Sequence, residues 1–299
     1  MEFYGIEELI FMNKILLIGS KGQLGTSFVR VLTDSAFDFV ALDLPELDIL
    51  DKEKIRDKIS EVKPKIIINC SAYTDVAKAE DEVEKAVQLN GTALKYLSEI
   101  CTEFDVLLCH FSTDYVFDGE SKIPYIESDK TNPKNIYGLS KYIGEQIIHN
   151  YCNKYLIIRT AALFGNNSFE TNSNIIEKFI QLGSSLQKLS VVEDEFTSPT
   201  FSDNLAEQTM KIIEYNLTGV FHATSEGYCN WYDLAEHIFR KLNISNKLEK
   251  VASENFNKKL KRPTFSVLEN QRLKEENINI MLHWKDAVDK YLETGKRKN

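Results

Sequence analysis

The stretch that most limits what this chain can fold into lies near its start. Lys14 to Ile18 is a short apolar run, Gly19-Ser-Lys-Gly22-Gln-Leu-Gly25 follows, and Leu24, Phe28, Val31 and Leu32 then recur at helical spacing. Strand, glycine turn and helix in that order are what a phosphate-binding βα unit needs. Gly19 allows a tight turn, Gly22 lets the backbone approach a pyrophosphate, and Gly25 lets the helix close on the strand. The helix N-terminal amides then face the anion. Without the preceding strand the same three glycines would read as a plain turn.

The alternation continues. Phe39–Leu42 is a second apolar run, and Asp43 follows it, 18 residues beyond Gly25. An acid there accepts hydrogen bonds from ribose hydroxyls and repels a 2′-phosphate, which leans toward NADH. Asp43 reads almost as well as a turn residue before Pro45. Asp48–Asp51 leads into a helix through Ile55, Ile59 and Val62 that stops before Pro64. Ile66–Ile68 is a continuous β-branched run, as in a buried parallel strand. A polar loop, Asn69 to Glu80, follows at that strand's carboxyl end, the edge where doubly wound sheets bind ligands. A helix from about Glu82 to Glu103 precedes a fourth strand, Val106–Cys109. This strand runs into Phe111-Ser-Thr-Asp-Tyr-Val-Phe117, which brings Ser112 and Thr113 to the same edge. Tyr155–Ile158 is a fifth strand.

The expected fold is therefore α/β: a Rossmann-type doubly wound parallel sheet with a smaller C-terminal substrate-binding domain. Residues 12–165 would form the dinucleotide-binding domain, its sheet completed by later strands near 188–193 and 219–223. Residues 166–299 would be mostly substrate-binding, with helices near Asn174–Leu182, after Ser202, at Trp231–Leu242 and at Trp284–Leu292. Residues 1–11 read as an extension outside the fold.

Between the fourth and fifth strands lies Asn135-Ile-Tyr-Gly-Leu-Ser-Lys141, followed by Ile143, Ile147, Ile148 and Tyr151 at helical spacing. Tyr137 and Lys141, four apart, share a helix face. An ammonium beside a phenol favours the phenolate and pulls the tyrosine below its reference value of about 10. Tyr137 then becomes a proton donor or acceptor. Alone, the pair reads as a surface tyrosine and a solvated lysine. A hydroxyl at Ser112 or Thr113 would let the strand end polarise a carbonyl jointly with Tyr137; the ordinary use of such hydroxyls is a local turn bond.

Composition excludes several classes. A net charge of −9 argues against nucleic acid as a main partner, because phosphate-backbone binding needs a basic surface. No apolar run approaches the ~18–20 residues that span a bilayer, and the first residues lack a signal-peptide pattern. Cys70, Cys101, Cys109, Cys152 and Cys229 form no Cys-x-x-Cys pair, which suits packed thiols in a reduced, cytoplasmic protein. His110, His149, His222, His237 and His283 show no metal-ligand spacing and read as structural or surface residues.

Gly-x-x-Gly-x-x-Gly, the Ser112-Thr-Asp-Tyr-Val-Phe117 run and Tyr137-x-x-x-Lys141 together resemble the extended short-chain dehydrogenase/reductase superfamily. The stretches Asn69 to Glu80, Tyr137-Gly-Leu-Ser-Lys141, Arg159-Thr160, Ser198-Pro-Thr200, Gly219-Val-Phe-His222, Trp231-Tyr-Asp233 and Arg262-Pro-x-x-Ser266 narrow the resemblance to the dTDP-4-dehydrorhamnose reductase family. It covers nearly the whole chain from Met12. The resemblance implies reduction, by NADH or NADPH, of the 4-keto group of a nucleotide-linked deoxysugar. By motif, Gly22, Gln23 and Leu24 would contact the cofactor phosphates, and Asp48, Ile49, Ala72, Tyr73 and Thr74 would line the rest of that site with Gly19, Gly25 and Asp43. Thr113, Tyr137 and Lys141 would form the catalytic trio, the last two also holding cofactor. Thr113, Asp114, Ala162, Pro199, Thr200 and Arg262 would meet the sugar nucleotide. A homodimer is compatible with this reading.

Three positions depart from the family pattern. Arg159-Thr-Ala-Ala162 stands where Arg-Thr-Ser-Trp is usual, so a flat apolar wall is missing at Ala162. Asp194-Glu-Phe-Thr197 replaces Asp-Gln-x-Gly. Ser27 stands where some members carry a magnesium-binding Glu, so no metal is expected. Phe164, Phe169 and Phe196 lie in segments that could reach the space beside Ala162. The alternative reading is a non-catalytic regulatory subunit resembling the methionine adenosyltransferase β-subunit; an epimerase or dehydratase of the same superfamily is a third.

Overall fold

A computed structural model describes residues 14–166, 174–245, 247–255 and 260–295. The expected extension at residues 1–11 and Phe169 lie outside the described residues.

Strands β1 (Ile15–Ile18), β2 (Phe39–Leu42), β3 (Ile66–Asn69), β4 (Leu107–Thr113) and β5 (Tyr155–Thr160) are the five expected apolar runs. β1 and β3 are buried at every position, as strands covered on both faces must be. The pairing is parallel throughout and continues to Gly219–His222, which is β10 once the short strands between are counted. The order is β10-β5-β4-β3-β1-β2. Alternation along β1 divides two cores: Ile15 and Leu17 face one with Phe28, Ile68 and Ile158, and Leu16 and Ile18 face the other with Ile59, Leu97 and Ile157.

On the Leu16 side lie helices α2 (Lys52–Val62), α5 (Ala93–Phe104) and α6 (Ile136–Tyr151), with the short α3 (Val76–Ala79) and α4 (Val83–Val87) before α5. The single helix expected over 82–103 is interrupted by a π-helical turn at Gln88–Thr92, which leaves Asn90 buried. On the other side, α1 (Gln23–Thr33) packs on the later helix Ser202–Glu214, which is α8 after α7 (Ile175–Ser185).

The second half thus returns to complete the first layer. Gly219–His222 joins the main sheet, whereas 188–193, expected there as well, does not. β7 (Lys188–Val192) pairs in parallel with β12 (Lys247–Val251) in a separate two-stranded sheet. Its pattern explains why: Leu189 and Val191 are buried while Lys188 and Ser190 are exposed, a strand covered on one face only. These strands join α7, α9 (Trp231–Leu242) and α11 (Trp284–Gly295), which follows the short α10 (Gln271–Glu275), around a third core with Phe164, Phe201, Leu234, Trp284 and Tyr291. Two two-residue pairs complete the strands: β6 (Leu163–Phe164) with β9 (Thr200–Phe201), in parallel, and β8 (Phe196–Thr197) with β11 (Cys229–Asn230), antiparallel.

Helix α6 lies unusually close to its neighbours. A Cβ on Gly138 would stand 2.2 Å from the Tyr115 carbonyl oxygen, and one on Gly144 would stand 2.2 Å from the Asn90 carbonyl oxygen. Both obstacles are backbone and cannot swing aside. Gly144→Ala is therefore expected to destabilise the fold by about 1–3 kcal/mol, the usual range for overpacking. Urea unfolding of the two proteins checks this; equal midpoints would mean that α6 has room to move.

Candidate active site

The three glycines of the first turn do three different jobs. Gly19 has φ +79°, and a Cβ there would sit 2.7 Å from the Ser71 backbone nitrogen, so the turn is pressed against the loop after β3. A Cβ on Gly25 would lie 2.0 Å from the Gly19 carbonyl oxygen: the helix closes on the turn itself. A Cβ on Gly22 would meet only the Gly19 oxygen, at 3.5 Å. Its own chain does not require glycine there, and among the described residues no side chain caps the amides of α1 that begin at Gln23 and Leu24. That open helix start fits a pyrophosphate.

Asp43 sits at the end of β2 as expected, but its carboxylate is engaged. Oδ2 accepts from the Lys21 backbone N–H at 2.8 Å and Oδ1 from that of Leu44 at 2.8 Å. The turn-residue reading is thus observed, and Asp43 ties the glycine loop to β2. The Lys21 ammonium lies 3.1 Å from the Leu44 carbonyl, which brings a basic group to the end of β2. Asp48 accepts from the Leu50 N–H, and Ile49 is buried. In the loop of Ala72, Tyr73 and Thr74, the buried Asn90 holds the Tyr73 backbone at both ends: its Oδ1 accepts from the Tyr73 N–H and its Nδ2 donates to the Tyr73 carbonyl. Nδ2 also donates to Ser140 of α6. The π turn therefore locks this loop to the helix that carries Tyr137.

The N-terminus of α6 is fixed twice. Asn135 caps it by accepting from the Gly138 N–H, and Glu80 accepts from the Ile136 N–H at 2.8 Å. This accounts for the glutamate that ends the Asn69–Glu80 loop. The structure brings Thr113 near Tyr137: the Thr113 hydroxyl lies close enough to act on the Tyr137 phenol and favour its ionised form. Thr113 also donates to Asp114 at 2.9 Å and accepts from the Tyr115 N–H. The Ser112 hydroxyl is buried without a hydrogen-bond partner among the described residues.

The electrostatics correct one expectation. Burial pushes the Tyr137 phenol up to about 12, Thr113 partly offsets this, and the Asp114 carboxylate adds to it. Lys141 does not pull it down. Although the two residues share a helix face, the Lys141 amine is turned to His110 of β4, with Nζ and Nε2 3.1 Å apart. Burial lowers Lys141 to about 8, against the pull of Glu145. Glu145 is itself gripped by Arg159 through two bonds of 3.0 and 2.8 Å in a buried ion pair. His110 was read from sequence as merely structural; no spacing motif marks it, and only the β3–β4 register and the turn of the lysine bring it into the site.

Beyond Tyr115 opens a cleft of about 1160 Å³ between the lobes. Ala162 and Arg262 line it, as expected, with Leu163, Ile175, Phe179, Trp231, Lys134 and Lys261. Ala162 has φ +43°, an unusual left-handed conformation for a residue with a Cβ. Phe164 and Phe196 do not replace the missing aromatic wall: Phe164 is buried and stacked on Phe201, and Phe196 packs against Tyr228 and Phe265. Pro199 and Thr200 are buried rather than lining the cleft; Thr200 donates its backbone N–H to the Ala162 carbonyl and so braces the wall from behind. The Trp231 indole donates to Glu195, which also lies 3.9 Å from Arg262. Ser27 faces inward, donating to Asp203 at 2.6 Å across the α1–α8 contact.

A dinucleotide-type sheet, an open helix start behind three glycines, and a Thr-Tyr-Lys constellation at the carboxyl edge beside an interlobe cleft define an extended short-chain dehydrogenase/reductase. The family model "RmlD substrate binding domain" matches residues 12–297. This chain belongs to the dTDP-4-dehydrorhamnose reductase family. It is 34% identical to the spore coat polysaccharide biosynthesis protein SpsK of Bacillus subtilis, over 94% of this chain and 98% of that one. A dTDP-4-dehydrorhamnose reductase of Clostridium acetobutylicum superposes with a TM-score of 0.91 at 35% identity, covering 95% of this chain and 99% of that one. The same enzyme of Bacillus anthracis, solved in complex with NADP, gives 0.90 at 31% identity, covering 94% and 99%.

Asp114 offers a direct check on how dry the site is. Burial raises its carboxyl to about 6, against hydrogen bonds from Ser266 and Thr113. Its folded value lies above the unfolded value of about 3.9, so the folded state holds the proton more tightly. That contribution to stability is complete below about pH 4 and is lost as pH rises through 6. Asp114→Asn should therefore gain stability relative to wild type between pH 4 and pH 7, by on the order of 2–3 kcal/mol. Urea denaturation at both values measures the gain; a pH-independent difference would place Asp114 in contact with water.

Proposed function

We propose that this chain reduces the 4-keto group of a dTDP-linked 6-deoxy sugar, dTDP-4-dehydrorhamnose to dTDP-L-rhamnose, using NADH or NADPH. The observation that carries the reading is that the Thr113 hydroxyl acts on the Tyr137 phenol next to Tyr115, which lines the interlobe cleft. The cofactor, when bound, supplies the hydride. Its pyrophosphate would lie at Gly22, Gln23 and Leu24 behind Gly19 and Gly25. Asp43, Asp48, Ile49, Ala72, Tyr73 and Thr74 would line the rest of its groove, and Tyr137 and Lys141 would hold its reactive end.

Tyr137 gives its phenolic proton to the sugar C4 oxygen, and Thr113 holds that oxygen by a hydrogen bond. A phenol pushed up to about 12 stays protonated across neutral pH, which suits a donor in the reductive direction. Asp114, beside Thr113, would bind the sugar. Arg262, with Lys134 and Lys261, gives the cleft the cations that a diphosphate needs, and the Trp231 ring offers a stacking face. The relatives named above carry reductase or polysaccharide-biosynthesis names, which favours this reading over a regulatory subunit.

Tyr137→Phe removes the proton donor and one of the groups beside the cofactor's reactive end. Turnover should fall roughly 10²–10⁴-fold, far more than cofactor affinity changes. Nicotinamide absorbance with the dTDP-4-keto sugar reads the first, and fluorescence titration the second. Near-wild-type turnover would end the assignment.

Ala162 tests the cleft. An aromatic ring buries about 150–250 Å², so the family's tryptophan would fill much of the space that Ala162 leaves. Ala162→Trp should change KM or selectivity across a panel of nucleotide-linked 4-keto sugars while leaving cofactor affinity alone. Identical kcat/KM values across the panel would mean that this wall never meets substrate.

A further inference from the structure

Lys141, His110 and Asn69 form a buried chain of side chains running from α6 through β4 to β3; all three are at most 2% exposed. The β3–β4 register sets Asn69 directly beside His110. The Asn69 Oδ1 accepts from the Ser71 backbone N–H at 3.1 Å, and from the Ser71 hydroxyl, which fixes the amide orientation. The Asn69 NH₂ therefore faces His110 Nδ1, at 3.2 Å. The other ring nitrogen, Nε2, faces the Lys141 amine at 3.1 Å. At these distances both contacts are direct.

The ring is neutral: burial and the neighbouring lysine hold His110 well below the ordinary histidine range. A neutral imidazole carries one proton on one of two nitrogens. With Asn69 donating to Nδ1, the proton belongs on Nε2, and Nε2–H can bond Lys141 only as a neutral amine. An ammonium needs Nε2 as an acceptor, so the proton must then be on Nδ1. In that state Nδ1–H stands against the Asn69 NH₂, a cost offset by the Asn69 main chain, which acts on the ring in the direction of holding a proton. We infer that His110 is a positioning residue whose tautomer is coupled to the charge of Lys141: Nε2–H accompanies the amine, and Nδ1–H accompanies the ammonium. Proton balance is simple. One proton is gained by Lys141 from solvent or substrate exchange, and the single ring proton changes nitrogen.

The other groups acting on Lys141 do not disturb this coupling. Glu145, on its own helix, is paired to Arg159 of β5. Cys70, in the loop after β3, is a thiol that burial keeps protonated. Burial brings Lys141 to about 8, so its titration falls in an accessible range. Coupling of this kind gives the catalytic lysine a partner that adapts to both of its charge states inside a dry site, where neither state would otherwise be satisfied.

The mechanistic meaning rests on the proposed role of Lys141, but the test does not need turnover. The full-length protein, labelled with ¹⁵N in histidine rings and ¹³C at lysine Cε, is titrated from pH 6 to 10. Sequential backbone correlation identifies His110. The expected result is a change from Nδ1–H to Nε2–H as pH rises, with no imidazolium signal and with the same midpoint as the Lys141 ¹³Cε shift. A tautomer that stays fixed while Lys141 titrates overturns the coupling, and so does a ring that becomes charged. In His110→Phe the ammonium loses a charge-assisted acceptor and the amine only a neutral donor. The Lys141 midpoint should then fall by about one pH unit; an unmoved midpoint counts against the inference. If that variant does not fold, the wild-type ring titration decides alone. Should Tyr137→Phe remain active while the tautomer follows Lys141, the proposed reaction fails and the coupling stands.

Discussion

The contact between α6 and the ends of β3 and β4 holds the site together. Two glycines, Gly138 and Gly144, let the helix backbone come against the Tyr115 and Asn90 carbonyls, where any larger residue would collide with main chain. Polar bonds fix the helix once it is there: Asn135 and Glu80 at its N-terminus, and Asn90 through Ser140 at its second turn. Those bonds also clamp the loop after β3, so the cofactor groove and the proton donor are positioned by one set of contacts. The extra residue of the π turn is what allows Asn90 to face inward and reach both.

Burial is the strongest influence on every titrating group near the reaction centre. It raises Tyr137 and Asp114 and lowers Lys141 and His110. All four shifts run toward the uncharged form, which is what a low-dielectric enclosure does when hydrogen bonds are too few to hold charge. The one firmly charged pair nearby, Arg159 with Glu145, is bidentate and self-contained. The centre therefore stores little net charge, and a single proton moving from Tyr137 changes the local field sharply. That is a condition under which a nearby hydroxyl such as Thr113 matters most.

The sheet was legible because its strands are continuous apolar runs set between helical periodicities, and the first glycine turn fixed the class. Tyr137 and Lys141 were singled out by their spacing, and Thr113 rather than Ser112 by the family resemblance alone. Three things were not legible. β7 looked like a sheet strand because Leu189-Ser-Val-Val192 is apolar in composition; only its alternation, visible once burial is known, assigns it to the other lobe. The direction of the Tyr137 shift followed from depth and from where the lysine turns, neither of which is encoded in a four-residue interval. His110 gave no signal because its partners are 31 and 41 residues away and meet it only through strand register. Pro199 and Thr200 came from motif matching, which marks positions near a site without separating residues that touch a ligand from residues that brace the wall.

The path of the chain has a consequence for how the molecule is made. β10 is the edge strand beside β5, and α8 covers α1, yet both lie beyond residue 200, after the chain has already entered the second lobe. During synthesis the first five strands emerge with one flank of β5 unpaired and the apolar side of α1 bare. An unpaired edge and a bare apolar face are what other chains adhere to. Until residues 202–222 have left the ribosome, the cofactor-binding layer lacks its edge strand and the helix that covers α1. Its completion is timed by the arrival of the segment that follows β9, and the two lobes are coupled in folding order as well as in space.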